Sequence, residues 1–185
     1  MRSKIKRFDE TVLFSVQRNQ TRKLSIAMLA FSLIGNGGLL WAFIGGLLLL
    51  DSSTSRYGAY LIVSLSLCAL VNNIFFKSLC DRERPCDTYQ NIPLLIKRPI
   101  GSSFPSGHTA TSFASATALF FLDPRIGVIA LFIAFLIAFS RLYLFVHYPT
   151  DILFGMLSGV ALSLVGIQIV KIFFHFVPIT YFSLP

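Results

Sequence analysis

Two of the three histidines in this 185-residue chain stand at short, fixed spacings from cations and a carboxylate. Lys77 and Arg84 fall in K-x6-R-P, Pro105 to His108 read P-S-G-H, and Arg141, His147 and Asp151 fall in S-R-x5-H-x3-D. The three motifs hold too few carboxylates to neutralise Lys77, Arg84 and Arg141, so an external anion is implied, and guanidinium forks favour a tetrahedral oxyanion such as phosphate. Ser106, Gly107 and His108 supply the complementary half. A helix opening at Pro105 would aim free backbone N–H groups and its positive dipole end at that anion, with Gly107 allowing close approach.

His147 and Asp151 are four apart with Pro149 between them, which puts His147 just outside a helix and Asp151 in its first turn. The carboxylate can then accept the imidazole N–H and fix its tautomer, leaving the other ring nitrogen to attack phosphorus. From the opposite side His108 can protonate a departing oxygen. Such a pair needs no metal, and the sequence shows no Asp/Glu cluster suited to Mg²⁺. Taken singly, each residue has a plainer reading: Asp151 as a helix cap, Ser106 as an interfacial hydroxyl, and Lys or Arg at a span end as a snorkelling side chain. His175, Lys171 and Arg125 keep that plainer reading. The others do not, because they converge on one chemistry.

The elements that must position them are membrane helices. Hydrophobic residues make up 55% of the chain and charged ones 13%, with a mean hydropathy of +0.72 and 19 Phe, more apolar surface than a soluble domain of this size can bury. A net charge of +8 set among apolar spans points to anionic lipid or a phosphorylated substrate, not nucleic acid. Residues 1–24 form a basic amphipathic segment carrying Arg2, Lys4, Lys6, Arg7, Arg18, Arg22 and Lys23, with Phe8, Val12, Leu13 and Val16 as its apolar stripe. Its length before the first apolar run argues against a cleavable signal peptide.

Five spans are predicted within a catalytic region over 25–176: Leu24–Leu50, Gly58–Phe76, Pro105–Leu122, Ile126–Phe145 and Thr150–Phe176, followed by a tail at 177–185. Gly35, Gly37, Gly38, Gly45 and Gly46 suit close helix approach. Asn72 and Asn73 are expected to face the bundle or the site. The polar connection from Lys77 to Phe104 is interrupted by prolines, and its apolar centre, Ile92–Ile96, reads as a flap at the interface. Cys80 and Cys86 flank Arg84-Pro85, a spacing that permits a disulfide outside the cytoplasm without requiring one. Five crossings put Lys77, His108, Arg141, His147 and Asp151 on one side of the bilayer.

These motifs resemble those of the type 2 phosphatidic acid phosphatases, which share their site with glucose-6-phosphatase and the vanadium haloperoxidases. The match covers residues 77–151 and the flanking spans. The resemblance implies an all-α transmembrane bundle in which His147 is the nucleophile forming a phosphohistidine, Asp151 its orienting partner and His108 the general acid. It makes Lys77, Arg84, Ser106, Gly107 and Arg141 the phosphate-binding set, with no cofactor. One departure is Phe145, where many members carry Gly, and it bears on the pocket wall. The short length resembles bacterial members acting on undecaprenyl diphosphate; phosphatidylglycerophosphate, phosphatidate and lipid A phosphate are the alternatives, as is transfer to an acceptor other than water. A small anion transporter and a haloperoxidase are the competing classes. The family likeness places the site outside the cytoplasm of a bacterial membrane, whereas the excess of cations on the site's side gives the opposite orientation by the positive-inside rule.

Overall fold

The computed structural model describes residues 4–176; Arg2 and the tail at 177–185 lie outside the described residues. Helix α1 (Lys4–Arg18) is amphipathic as expected, but the face it buries differs from the predicted stripe. Leu13 is buried, Val12 and Val16 are half-buried and Phe8 is exposed, while Asp9 and Glu10 point inward. The reason is polar: Asp9 meets Arg82 at 2.6 Å and Glu10 accepts from the Tyr89 hydroxyl at 2.6 Å.

Helix α2 (Arg22–Ile34) starts on Thr21, whose hydroxyl accepts from the Leu24 N–H. It joins α3 (Leu39–Leu50) through a 3-10 turn at Asn36–Gly38, in which Gly37 and Gly38 take φ of +60° and +72°. That left-handed backbone suits Gly alone among common residues, so two of the glycines expected at a helix contact instead bend the first span. Gly45 does serve a contact: a Cβ there would lie 2.9 Å from the Ile62 side chain.

Helix α4 (Ser55–Cys68) continues through a widened π turn at Ala69–Phe76 into α5 (Lys77–Leu79). Asn72 faces the bundle, fully buried and without a hydrogen-bond partner for its amide; the side chain of Asn73 lies outside the described residues. The short α6 (Pro85–Thr88) interrupts the polar connection. Helices α7 (Gly107–Phe120), α8 (Pro124–Tyr143) and α9 (Pro149–Phe176) follow. Pro105 precedes α7 instead of opening it, and Ser106 is the N-cap.

Among the described residues four stretches are long and apolar enough to cross a membrane: Arg22–Leu50, Ser55–Leu79, Pro124–Tyr143 and Pro149–His175. The third predicted span, Pro105–Leu122, becomes α7 with 14 residues, about 21 Å at 1.5 Å per residue against a hydrocarbon core of about 30 Å. It packs against α4, α8 and α9 in the middle of the bundle. Surrounded by protein, it needs neither full bilayer length nor a lipid-like surface, and its Ala, Ser and Thr side chains let neighbours come close. Trp41 donates to Ser112 at 3.1 Å, fastening α3 to it. On the other side a Cβ at Gly159 would stand 2.4 Å from the Ala110 carbonyl oxygen, so α9 lies directly on the α7 backbone.

Candidate active site

Lys77, Arg84, Gly107, His108, Arg141 and His147 all line one cavity of about 490 Å³. Of the residues lining it none is a carboxylate. Each arrives from a different element: Lys77 from the end of the second span, Arg84 just before α6, Gly107 and His108 from the first turn of α7, Arg141 from the last turn of α8, and His147 from the turn before α9. The cavity also runs along Asn36, Leu65 and Ala69. Asn36 and Ala69 are exposed and Leu65 is half-buried, so the cavity opens from the polar end onto the side of the bundle.

Arg84 is 3% exposed and held by backbone. Its Nε donates to Gly101 O, Nη1 to Val146 O and Nη2 to Ser102 O, each at 3.0 Å. Nη1 also lies 3.3 Å from His147 Nε2. Arg141 donates through Nη1 to Ser32 of α2, and its buried Nε has no partner. That orphaned donor and the uncompensated charges are what an anion would satisfy.

His147 Nδ1 stands 2.7 Å from the Ser103 carbonyl oxygen. A carbonyl only accepts, so Nδ1 carries the proton and Nε2 holds the free lone pair. Here the structure corrects the sequence expectation. Asp151 Oδ2 is 3.7 Å from Nδ1, too far for the expected direct bond. That oxygen is already engaged by the Ser103 hydroxyl at 2.5 Å and the Tyr148 N–H at 2.8 Å. Asp151 is thus connected to the imidazole chiefly through Ser103, whose carbonyl accepts from the ring N–H and whose hydroxyl donates to the carboxylate. Burial pushes the His147 ring down to about 4, with the Asp151 carboxylate opposing and Arg141 and Arg84 adding to the fall. It is neutral at ordinary pH, the form that can act as a nucleophile.

Ser106 is completely buried and accepts a hydrogen bond from Thr109 at 2.9 Å, while its N–H donates to the Asp151 carbonyl at 3.2 Å. Its side chain does not cap α7, so the first-turn amides are left to the cavity. Ser106 and Asp151 are the two predicted site residues that do not line the cavity.

Four neighbours escaped the sequence reading: Ser32, Ser103, Arg82 and Asp9. Arg82 bridges two carboxylates, reaching Asp151 at 2.5 Å and Asp9 at 2.6 Å. No local pattern pointed to them: Asp9 stands in a basic amphipathic helix, and only its burial, which the structure reveals, makes it need a cation. Cys80 and Cys86 are free thiols. In the polar connection Ile92, Leu94 and Ile96 pack against the core, and Pro99 with Ile100 reaches the cavity in place of the expected flap centre. Phe145 is also turned from the cavity, its ring centroid 5.9 Å from Phe14 and 6.1 Å from Tyr89.

A helical bundle with an oxyanion-sized, cation-lined end defines a membrane phosphatase, and comparison with known proteins agrees. Residues 57–174 match the PAP2 superfamily, and the chain belongs to it. A curated undecaprenyl-diphosphatase from Sulfolobus acidocaldarius is 28% identical over 155 residues, 83% of this chain and 74% of that protein. The bacitracin transport permease protein BcrC of Bacillus licheniformis is 32% identical over 57% of this chain, which spans only 51% of it. The crystal structure of Aquifex aeolicus LpxE superposes with a TM-score of 0.77 and 26% identity, covering 86% of this chain and 94% of that one.

Proposed function

We propose that the chain hydrolyses a lipid diphosphate of the undecaprenyl type, or a related lipid phosphate, through a phosphohistidine on His147. The observation that carries this is one cavity in which the unprotonated Nε2 of His147 faces Lys77, Arg84 and Arg141 with no carboxylate among the lining residues. Nε2 attacks the terminal phosphorus, the bond to the lipid-side oxygen breaks, and His108 donates a proton to that oxygen. Water then attacks the phosphorus, passing a proton to His108 as the phosphorus–nitrogen bond breaks, which gives inorganic phosphate and the free ring. Arg84, Arg141, Lys77 and the Gly107 amide hold the equatorial oxygens, whose charge grows in the transition state. A donor set of cations and amides does the neutralising a divalent ion does elsewhere, so EDTA should leave turnover unchanged and vanadate should block it.

The diphosphate preference rests on a cavity of about 490 Å³ that also takes in Leu65 and Ala69 and on the likeness to an undecaprenyl-diphosphatase. Phosphate release by the purified chain from undecaprenyl diphosphate, phosphatidate, phosphatidylglycerophosphate and lipid A, at matched detergent, tests it. His147→Ala and His108→Ala should each lower release by about 10³-fold or more. Activity surviving both substitutions contradicts the mechanism; preference for a monophosphate contradicts the substrate.

We place the site on the outer face of the cytoplasmic membrane, as in the family, although α1 brings its cations to the same end. A single cysteine at Ile100, which is 99% exposed, in a background without Cys68, Cys80 and Cys86, should react with an impermeant maleimide on intact cells. Labelling only after lysis reverses the orientation.

A further inference from the structure

The amino-terminal helix, outside every motif that carries the family resemblance, ends in a polar chain that runs to the site. Asp9 Oδ2 accepts from Arg82 Nη2 at 2.6 Å and from the Thr150 hydroxyl at 2.8 Å, and Oδ1 accepts from the Thr150 N–H at 3.0 Å. Arg82 Nη1 reaches on to Thr150 Oγ1 at 2.8 Å and to Asp151 Oδ1 at 2.5 Å. The Arg82 guanidinium also lies 4.3 Å from the centre of the Tyr148 ring. Asp9 is 1% exposed and Asp151 0%, so neither carboxylate can turn to water. Both Asp151 oxygens are thereby assigned: Oδ1 to Arg82, and Oδ2 to Ser103 and the Tyr148 N–H.

We propose that Asp9 and Arg82 are positioning residues for the reaction, a chain from α1 that fixes the rotation of the Asp151 carboxylate and so the Ser103 carbonyl that holds His147. The proposal rests on the phosphohistidine reading of the site. Its physical content is twofold. Without Arg82, Asp151 Oδ1 loses its partner and the carboxylate is free to rotate away from the Ser103 hydroxyl, loosening the Nδ1–H···O=C bond that aims Nε2. Without Asp9, the fork of Arg82 is anchored at the Thr150–Asp151 end only, and Nη2 loses its carboxylate partner. The same chain makes the docking of α1 part of the working site, since Asp9 of α1 is joined to the Arg82–Thr150–Asp151 group.

Charge separates this role from a merely structural one. Asp9, Arg82 and Asp151 sum to one negative charge; Asp9→Asn leaves zero, Arg82→Gln leaves two, and the double variant restores one. The other ionisable groups around His147 are Arg84, Arg141, His108 and Lys77, and none of them changes. The acidic limb of kcat/KM against pH reports the free-enzyme imidazole that must be unprotonated.

In the full-length protein, purified in detergent with farnesyl diphosphate and dioctanoyl phosphatidate as probes, each single variant should lose about tenfold in kcat with KM within about twofold. The limb should move to lower pH in Asp9→Asn and to higher pH in Arg82→Gln, and return to the wild-type position in the double variant while kcat stays low. Arg82→Lys, which keeps the charge and loses the fork, should keep the limb and lose kcat. Wild-type kcat in both single variants, or limbs that move together, overturns the proposal. A loss confined to KM overturns it too. Each variant is compared with wild type by thermal unfolding, and Arg82→Lys carries the test should Arg82→Gln not fold. Wild-type protein matched by His147→Ala sinks the phosphohistidine reading itself, an outcome distinct from any of these.

Discussion

At the scale of single residues, His147 is held neutral and pointed. Its lone pair is on Nε2 because Nδ1 is spent on Ser103, and burial lowers its affinity for a proton from 6.5 to about 4. The group is basic, so lowering its pKa keeps the reactive form present further into acid. We expect kcat/KM to hold down to about pH 5 and then fall through a limb near 4; a limb in the ordinary imidazole range contradicts the burial argument. Phe145 makes a second residue-scale case. It takes φ of +62°, a region that suits Gly and costs a bulky side chain about 1–2 kcal/mol. Its ring, 1% exposed and packed near Phe14 and Tyr89, returns more than that, since deleting a buried Phe costs about 3–5 kcal/mol. Phe145→Gly should therefore destabilise the protein by about 2 kcal/mol while leaving KM near wild type, as measured by thermal unfolding and phosphate release.

At the scale of elements, the site depends on α7 standing in the middle of the bundle with its first turn bare. Glycines on α9 make that possible. A Cβ at Gly155 would stand 2.9 Å from the Ser106 carbonyl oxygen and one at Gly159 2.4 Å from that of Ala110. Both obstacles are backbone, which cannot rotate aside. Gly159→Ala should cost about 1–3 kcal/mol of stability by overpacking, and a Tm equal to wild type would show that the helices separate freely. The sequence disclosed six residues that meet in one cavity, because K-x6-R-P, P-S-G-H and S-R-x5-H-x3-D name side chains whose chemistry stays the same wherever the chain puts them. It disclosed α7 less well. An apolar run reads as a lipid-facing span, and only tertiary placement reveals that Ala110, Ala114 and Ser115 pack on other helices. The bend at Gly37–Gly38 and the displacement of Pro105 from the helix were equally invisible, being backbone choices that neighbouring helices impose. Long-range partners such as Ser32 on Arg141, or Asp9 on Arg82, have no local pattern to announce them.

At the scale of the whole molecule, apolar helices carry a charged end that they would not tolerate at the centre of a bilayer, where each unpaired cation costs about 2.5–3.5 kcal/mol. The cavity opens beside Asn36, Leu65 and Ala69, between the bent first span and the second, a route by which a lipid head would reach the cations while its tail stays in the bilayer. The central claim is that phosphorus becomes bonded to His147. Rapid quench of the full-length protein with a diphosphate lipid labelled on its terminal phosphate measures this directly. We predict a base-stable, acid-labile label on the peptide containing His147, appearing no slower than phosphate release and absent from His147→Ala. Turnover without label on that peptide, or label carried by another residue, would contradict the account.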